Sequence, residues 1–259
     1  MKKVLRNLLF ALVVAAFGLA TAFVYGFASE SRRTITCKGL EVSLDKTRSF
    51  VSEQDIKDYL RIYYGPYIGE RIDSVNLDRI ETILDRRSAI RKSQAWTTDD
   101  GILHISITQR EPVVRFQRNS AEGFYADESG YIFPLQKAYT PLVPVVVGNF
   151  PLKEGAGYKG EPSTPAGKEW MEGLLDLIKY MNSSKIWAEN ISDILVSPNG
   201  DFVLIPRKGK ERFIFGNTKD IKEKFGRIEK YYEYIRPAKE EGWYRSVNVK
   251  YKDRIICRR

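Results

Sequence analysis

The chain has 259 residues, a formal net charge of +9, 43% hydrophobic residues, one histidine and two cysteines. That length holds one large domain or two small ones with real cores, and the composition excludes collagen-like, wholly disordered and disulfide-dense classes. His104, Cys37 and Cys257 are too few for most plans built on a histidine base or a Cys/His metal cage, and the charge is too mild to argue for nucleic acid.

Residues 8–28 carry no charged side chain and suffice to cross a bilayer as one helix. Lys2, Lys3 and Arg6 precede them, which places a short cytoplasmic tail at 1–7 and exports the rest to the periplasm. A cleaved signal peptide is the competing reading, on the pattern Ala20-Thr21-Ala22. The apolar run outlasts a usual signal core and continues through Phe23, Val24 and Phe27, which favours a retained anchor.

A first exported domain is expected over 32–110. Residues 34–44 read as a strand. Ser52 caps a helix whose apolar face is Ile56, Tyr59, Leu60 and Tyr63, broken at Tyr64-Gly65-Pro66. Asn76 caps a second helix with Leu77, Ile80, Ile83 and Leu84 on one stripe. Two β-like runs, 89–98 and 102–108, flank the turn Asp99-Asp100-Gly101. In the second run Leu103, Ile105 and Ile107 alternate with His104, which puts His104 on a solvated face.

Arg110-Glu111-Pro112 marks a boundary, and a second domain is expected over 113–259. Short strands are read at 113–116, 123–126, 131–133 and 143–147, and 149–167 is a Gly- and Pro-rich loop. Thr164-Pro165 opens a helix that buries Trp170, Leu174, Leu177, Ile178 and Met181. Strands at 191–196, 202–205 and 212–215 follow. Ile221, Phe225, Ile228, Tyr232 and Ile235 face the core from a last helix ended by Pro237, and a hairpin of 246–251 and 254–258 closes the chain. The fold class is α+β: a single transmembrane helix, a β-α-α-β-β domain, then a mixed α/β domain with an antiparallel sheet.

Cys37 and Cys257 lie far apart in sequence, in different domains; the exported compartment permits a disulfide between them, and two free thiols are the favoured reading over a bridge. Asp99, Asp100, Asp127 and Glu128 have the chemistry of acid pairs for glycan hydrolysis, but all four sit in turns, where acids serve conformation. No nucleophile–base pair assembles, so no enzyme, cofactor, metal or small-molecule substrate is expected.

The layout resembles the FtsQ/DivIB family of bacterial cell division proteins. The β-α-α-β-β domain is similar to a POTRA domain. It closes with an alternating strand running into Gln109-Arg110-Glu111-Pro112, as the family pattern does. Asp127-Glu128-Ser129-Gly130 resembles the family's Asp-x-x-Gly turn, and Val247-Asn248-Val249-Lys250-Tyr251 resembles its closing strand pair. Residues 64–71 depart from the pattern as an extension between the two helices. The resemblance implies a non-enzymatic inner-membrane scaffold that binds FtsB-like and FtsL-like single-span coiled-coil proteins and links septum assembly to peptidoglycan synthesis. It implies that the FtsB-like partner adds a strand to the carboxy-terminal sheet edge. The expected partner-binding residues are then Val247, Val249, Tyr251, Arg254, Ile255, Ile256 and Arg258. Two alternatives are a POTRA-type component of a secretion or outer-membrane assembly system and a membrane-anchored cell-wall enzyme. The first predicts repeated POTRA units and a barrel; the second predicts a carboxylate cleft.

Overall fold

The structure, a computed structural model, describes residues 10, 12–23, 35–45, 50–119, 122–136, 138–240 and 242–259. Residues 12–23 are helical and expose apolar side chains, Phe17, Leu19 and Phe23 among them. Among the described residues no helix is long and apolar enough to cross a membrane. The expected tail and both ends of the expected span lie outside the described residues. Two compact units divide the chain, Met1–Gln109 and Arg110–Arg259.

In the first unit a three-stranded sheet has the order β1 (Gly39–Leu44), β3 (Ile102–Gln109), β2 (Ile90–Thr97). β1 runs parallel to β3, and β2 runs antiparallel to it. Two helices, α1 (Glu53–Tyr63) and α2 (Leu77–Asp85), supply Ile56, Leu60, Ile80, Ile83 and Leu84 to a core shared with Val42, Leu103, Ile105 and Ile107. The cap of α1 is reciprocal: Ser52 accepts from the Asp55 amide, and Asp55 accepts from the Ser52 amide. Asn76 caps α2 through the Arg79 amide at 2.9 Å. Gln109 ends β3 inside the unit, where its Oε1 accepts from the Phe50 and Val51 amides.

Two expectations here are corrected. The first strand begins at Gly39, because Cys37 bonds instead to Gly69 and Glu70 and so pairs with the segment between the helices. Tyr63 is not a core residue; it is 57% exposed, with its ring 4.4 Å from that of Tyr59.

In the second unit nine strands form one sheet: β12 (Ile256–Arg258), β11 (Ser246–Asn248), β10 (Arg212–Gly216), β9 (Phe202–Pro206), β8 (Ile191–Val196), β7 (Val145–Gly148), β4 (Pro112–Gln117), β5 (Gly123–Asp127) and β6 (Ile132–Pro134), in that order across it. The sheet is mixed, which corrects the expected antiparallel sheet. β4–β7, β7–β8 and β10–β11 are parallel pairs. Helices cause the last two: α3 (Pro165–Asn182) and α4 (Lys185–Asn190) separate β7 from β8, and α5 (Ile221–Lys230) separates β10 from β11. A helical crossover brings the chain back to lay the next strand in the same direction.

Thr164 caps α3 through the Gly167 amide, and Met171, Leu174, Leu177, Ile178 and Met181 face the core. Trp170 is only partly buried and stacks on Phe202 at 5.5 Å. The sequence reading missed α4, whose Trp187 packs 4.9 Å from Phe225. The last helix also departs from its expected face. After Lys230 it widens to a π turn over Tyr231–Ile235, then a 3-10 turn over Arg236–Ala238. Tyr231, i+3 from the buried Ile228, enters the core, and Tyr232 sits at its margin. The closing strands are shorter than expected, because residues 249–255 form their connection, with Asp253 at φ +58°.

Candidate functional site

The two ends of the nine-stranded sheet are finished differently. At the β6 end Ile132 and Phe133 are fully buried, and Pro134 has no N–H to offer. Gly160 also closes a pair of backbone hydrogen bonds on Ile132, at 2.8 and 3.0 Å. At the other end β12 pairs on its inner side with β11, in the register Ser246–Arg258, Val247–Cys257 and Asn248–Ile256. Among the described residues no strand lies on its outer side. The outward N–H and C=O groups of such a strand are open to another chain.

Side chains alternate along this edge. Ile255 and Cys257 pack against the core, whereas Ile256 and Arg258 belong to the opposite face and Arg254 is exposed. Val247 and Val249 have no exposed surface and belong to the core beneath β10 and β11. Their expected contact with a partner is corrected: they support the edge from within, because the period of two turns them inward. Tyr251 is about half exposed, on the connection between the strands. The structure therefore brings Arg254, Ile255, Ile256 and Arg258 together at the open edge and separates Val247 and Val249 from it.

The surroundings are basic. Residues 245–259 hold Arg245, Lys250, Lys252, Arg254, Arg258 and Arg259 against the single acid Asp253. Lys250 is already engaged by Asp201 at 2.8 Å, and that bond pushes its ammonium pKa up. Arg254 and Arg258 make no ion pair among the described residues. Sequence reasoning did not single out Trp243 or pair it with Arg259. The Arg259 guanidinium lies 3.8 Å above the Trp243 ring, and the Lys239 ammonium lies 5.3 Å from the same ring. No charge pattern around Trp243 signals the contact, since Lys239 and Arg245 are balanced by two adjacent glutamates, and only the loop's path brings residue 243 to residue 259.

Beneath the sheet end lies a buried polar knot. Glu211 is almost fully buried and accepts from the Tyr231 hydroxyl at 3.2 Å, with Arg236 Nε at 3.4 Å. Burial, and then the Glu211 charge, push the Tyr231 phenol up, and the same causes push Tyr232 up to about 12. Burial also raises the thiols of Cys257 and Cys37, both of which are free.

The turn acids build their turns. Asp127 accepts from the amides of Ser129 and Tyr131 and pairs with Arg110 at 2.8 Å. Asp100 accepts from the Thr98 hydroxyl and the Ile102 amide. His104 is less open than expected. It stacks on Trp96 at 5.3 Å, with Nδ1 3.4 Å from a Glu41 oxygen. Among the described residues no group of three or more His, Cys, Asp or Glu is placed to hold a metal ion.

A family model described as FtsQ/DivIB, C-terminal related, matches residues 111–258, more than half of the chain. The chain belongs to the FtsQ/DivIB family. A second model, of a POTRA-like domain, matches residues 35–108 of this FtsQ/DivIB chain. No curated protein matches it. The C-terminal match ends at Arg258, so it includes β12 and its partner strand.

Proposed function

We propose that this FtsQ/DivIB chain is a non-enzymatic scaffold of cell division, held in the inner membrane by residues 8–28 with its bulk in the periplasm. Its role is to collect FtsB-like and FtsL-like single-span proteins and so to link septum assembly to peptidoglycan synthesis. The observation that carries the reading is the contrast between the two sheet ends: β6 is closed by Gly160 and Pro134, while among the described residues no strand covers the outer side of β12. A sheet edge left open needs either protection or a partner.

The test is calorimetry of the full chain against the exported segment of an FtsB-like protein, beside a variant lacking residues 254–259. Circular dichroism must show the variant folded. Binding by the full chain and none by the variant is expected. Equal binding by both removes the edge from the interface. Depletion of the protein in cells is expected to give filamentous growth without septa; normal septation overturns the division role.

A further inference from the structure

We propose that the end of α1 and the turn after it lie on the lipid surface, with Ile62, Tyr63 and Ile68 inserted into the headgroup layer of the membrane that anchors the chain. This rests on the anchor in the reading above and adds a second contact with the same bilayer. Ile62 is 69% exposed and Ile68 54%, and Tyr63 lies open between them in sequence. A single exposed aliphatic is ordinary, but two isoleucines and a tyrosine within seven residues of chain need a covering. Gly65 and Gly69, at φ +105° and +85°, shape the turn that displays Ile68.

The path of the chain says what covers them. The turn is tied through its backbone to the segment that arrives from the anchor. Cys37 donates to Glu70 and accepts from Gly69, both at 2.7 Å, and Ile72 donates to Ile35 at 2.9 Å. Residue 28, where the proposed anchor ends, is seven residues from Ile35. Seven residues reach at most about 25 Å when fully extended. The headgroup layer itself is about 5–8 Å deep. The turn, bonded to residues 35–37, is therefore held within a short reach of lipid.

The side chains suit that layer. Tyrosine has an apolar body and a polar tip and collects at membrane interfaces. Isoleucine adds apolar area that buries at the acyl boundary. The neighbouring arginines already have acids, Arg61 with Asp58 at 2.9 Å and Arg71 with Asp73, so the patch carries little net charge. The contact is apolar, and an uncharged bilayer suffices for it.

The test places the full chain in nanodiscs of phosphatidylcholine. The dye NBD is attached by thiol alkylation in a Cys257→Ser background, in which the remaining Cys37 is buried. Ile62→Cys, Ile68→Cys, Phe17→Cys and Ile186→Cys each carry the dye in turn. Phe17 lies in the apolar helix, and Ile186, exposed on α4 of the second unit, is the control. The background without an added cysteine is the blank, and circular dichroism must show each variant folded. Spin-labelled lipids quench a dye that they touch. A label near the headgroup is expected to quench positions 62 and 68 about threefold more than position 186. A label deep in the acyl chains is expected to quench position 17 most. Anionic phosphatidylglycerol or added salt is expected to leave positions 62 and 68 unchanged. Quenching at 17, with 62 and 68 no higher than 186, overturns the lipid contact and leaves the anchor standing. No quenching at 17 overturns the anchor, and the lipid contact with it. Quenching at 62 and 68 that requires anionic lipid and vanishes in salt overturns the apolar basis of the contact.

Discussion

At the start of α1, Ser52 and Asp55 satisfy two amides that a helix end otherwise leaves bare. The Ser52 bonds, from backbone first and then hydroxyl, hold the Asp55 carboxyl below its usual range. A carboxylate lowered on folding contributes stability that is complete above its unfolded value, near pH 4, and is lost as pH falls through the folded value. Ser52→Ala is expected to cost about 1 kcal/mol in urea unfolding and to flatten that acid limb. Tyr231 is a second case. Its hydroxyl is the donor that Glu211 meets inside the core. Tyr231→Phe leaves that acid short of a partner and is expected to cost about 1–3 kcal/mol. Tyr231→Ala also empties a large volume and is expected to cost about 3–5 kcal/mol. Tyr234, 68% exposed, is the control, with an expected change within about 0.5 kcal/mol on conversion to Ala. Equal costs at 231 and 234 contradict the burial of Tyr231 against Glu211.

Among the elements, those with strong local signals were legible. The caps at Ser52, Asn76 and Thr164 all form, and the hairpin around Asp99-Asp100-Gly101 pairs in the expected sense. Helix α4 was not legible, because six residues carry too little periodicity to read, and its place depends on Trp187 reaching Phe225. The π turn was also hidden. The notable departure is that Tyr231, at i+3 from Ile228, takes the fully buried place beside Glu211, while Tyr232 is left at the margin. Strand ends slipped for a related reason. Residues 35–38 have strand character, but they pair with residues 69–72, which lie outside any helix or strand pattern visible in sequence. The sheet end itself was half legible. Arg254, Ile256 and Arg258 could be read as an alternating basic and apolar edge, but Val247 and Val249 were offered to a partner when the core had claimed them.

The whole molecule has two compact units, each with its own sheet and buried residues. Separate fragments ending at Gln109 and beginning at Arg110 are each expected to unfold cooperatively on heating. A fragment with no transition overturns that independence. By itself the sequence determined what lies within reach of a few neighbours: helix caps, hairpin turns, apolar stripes, and the basic character of the last fifteen residues. These depend on hydrogen bonds and side-chain spacing that close over one or two turns of chain. Only the tertiary structure decided the order of nine strands, their mixed direction and the closing of one sheet end by Gly160. It alone placed Arg259 on Trp243 and left β12 outermost. The reason is that strand neighbours are chosen by where the crossover helices α3 and α5 can bury their faces. That choice joins residues tens of positions apart, so no local pattern encodes it.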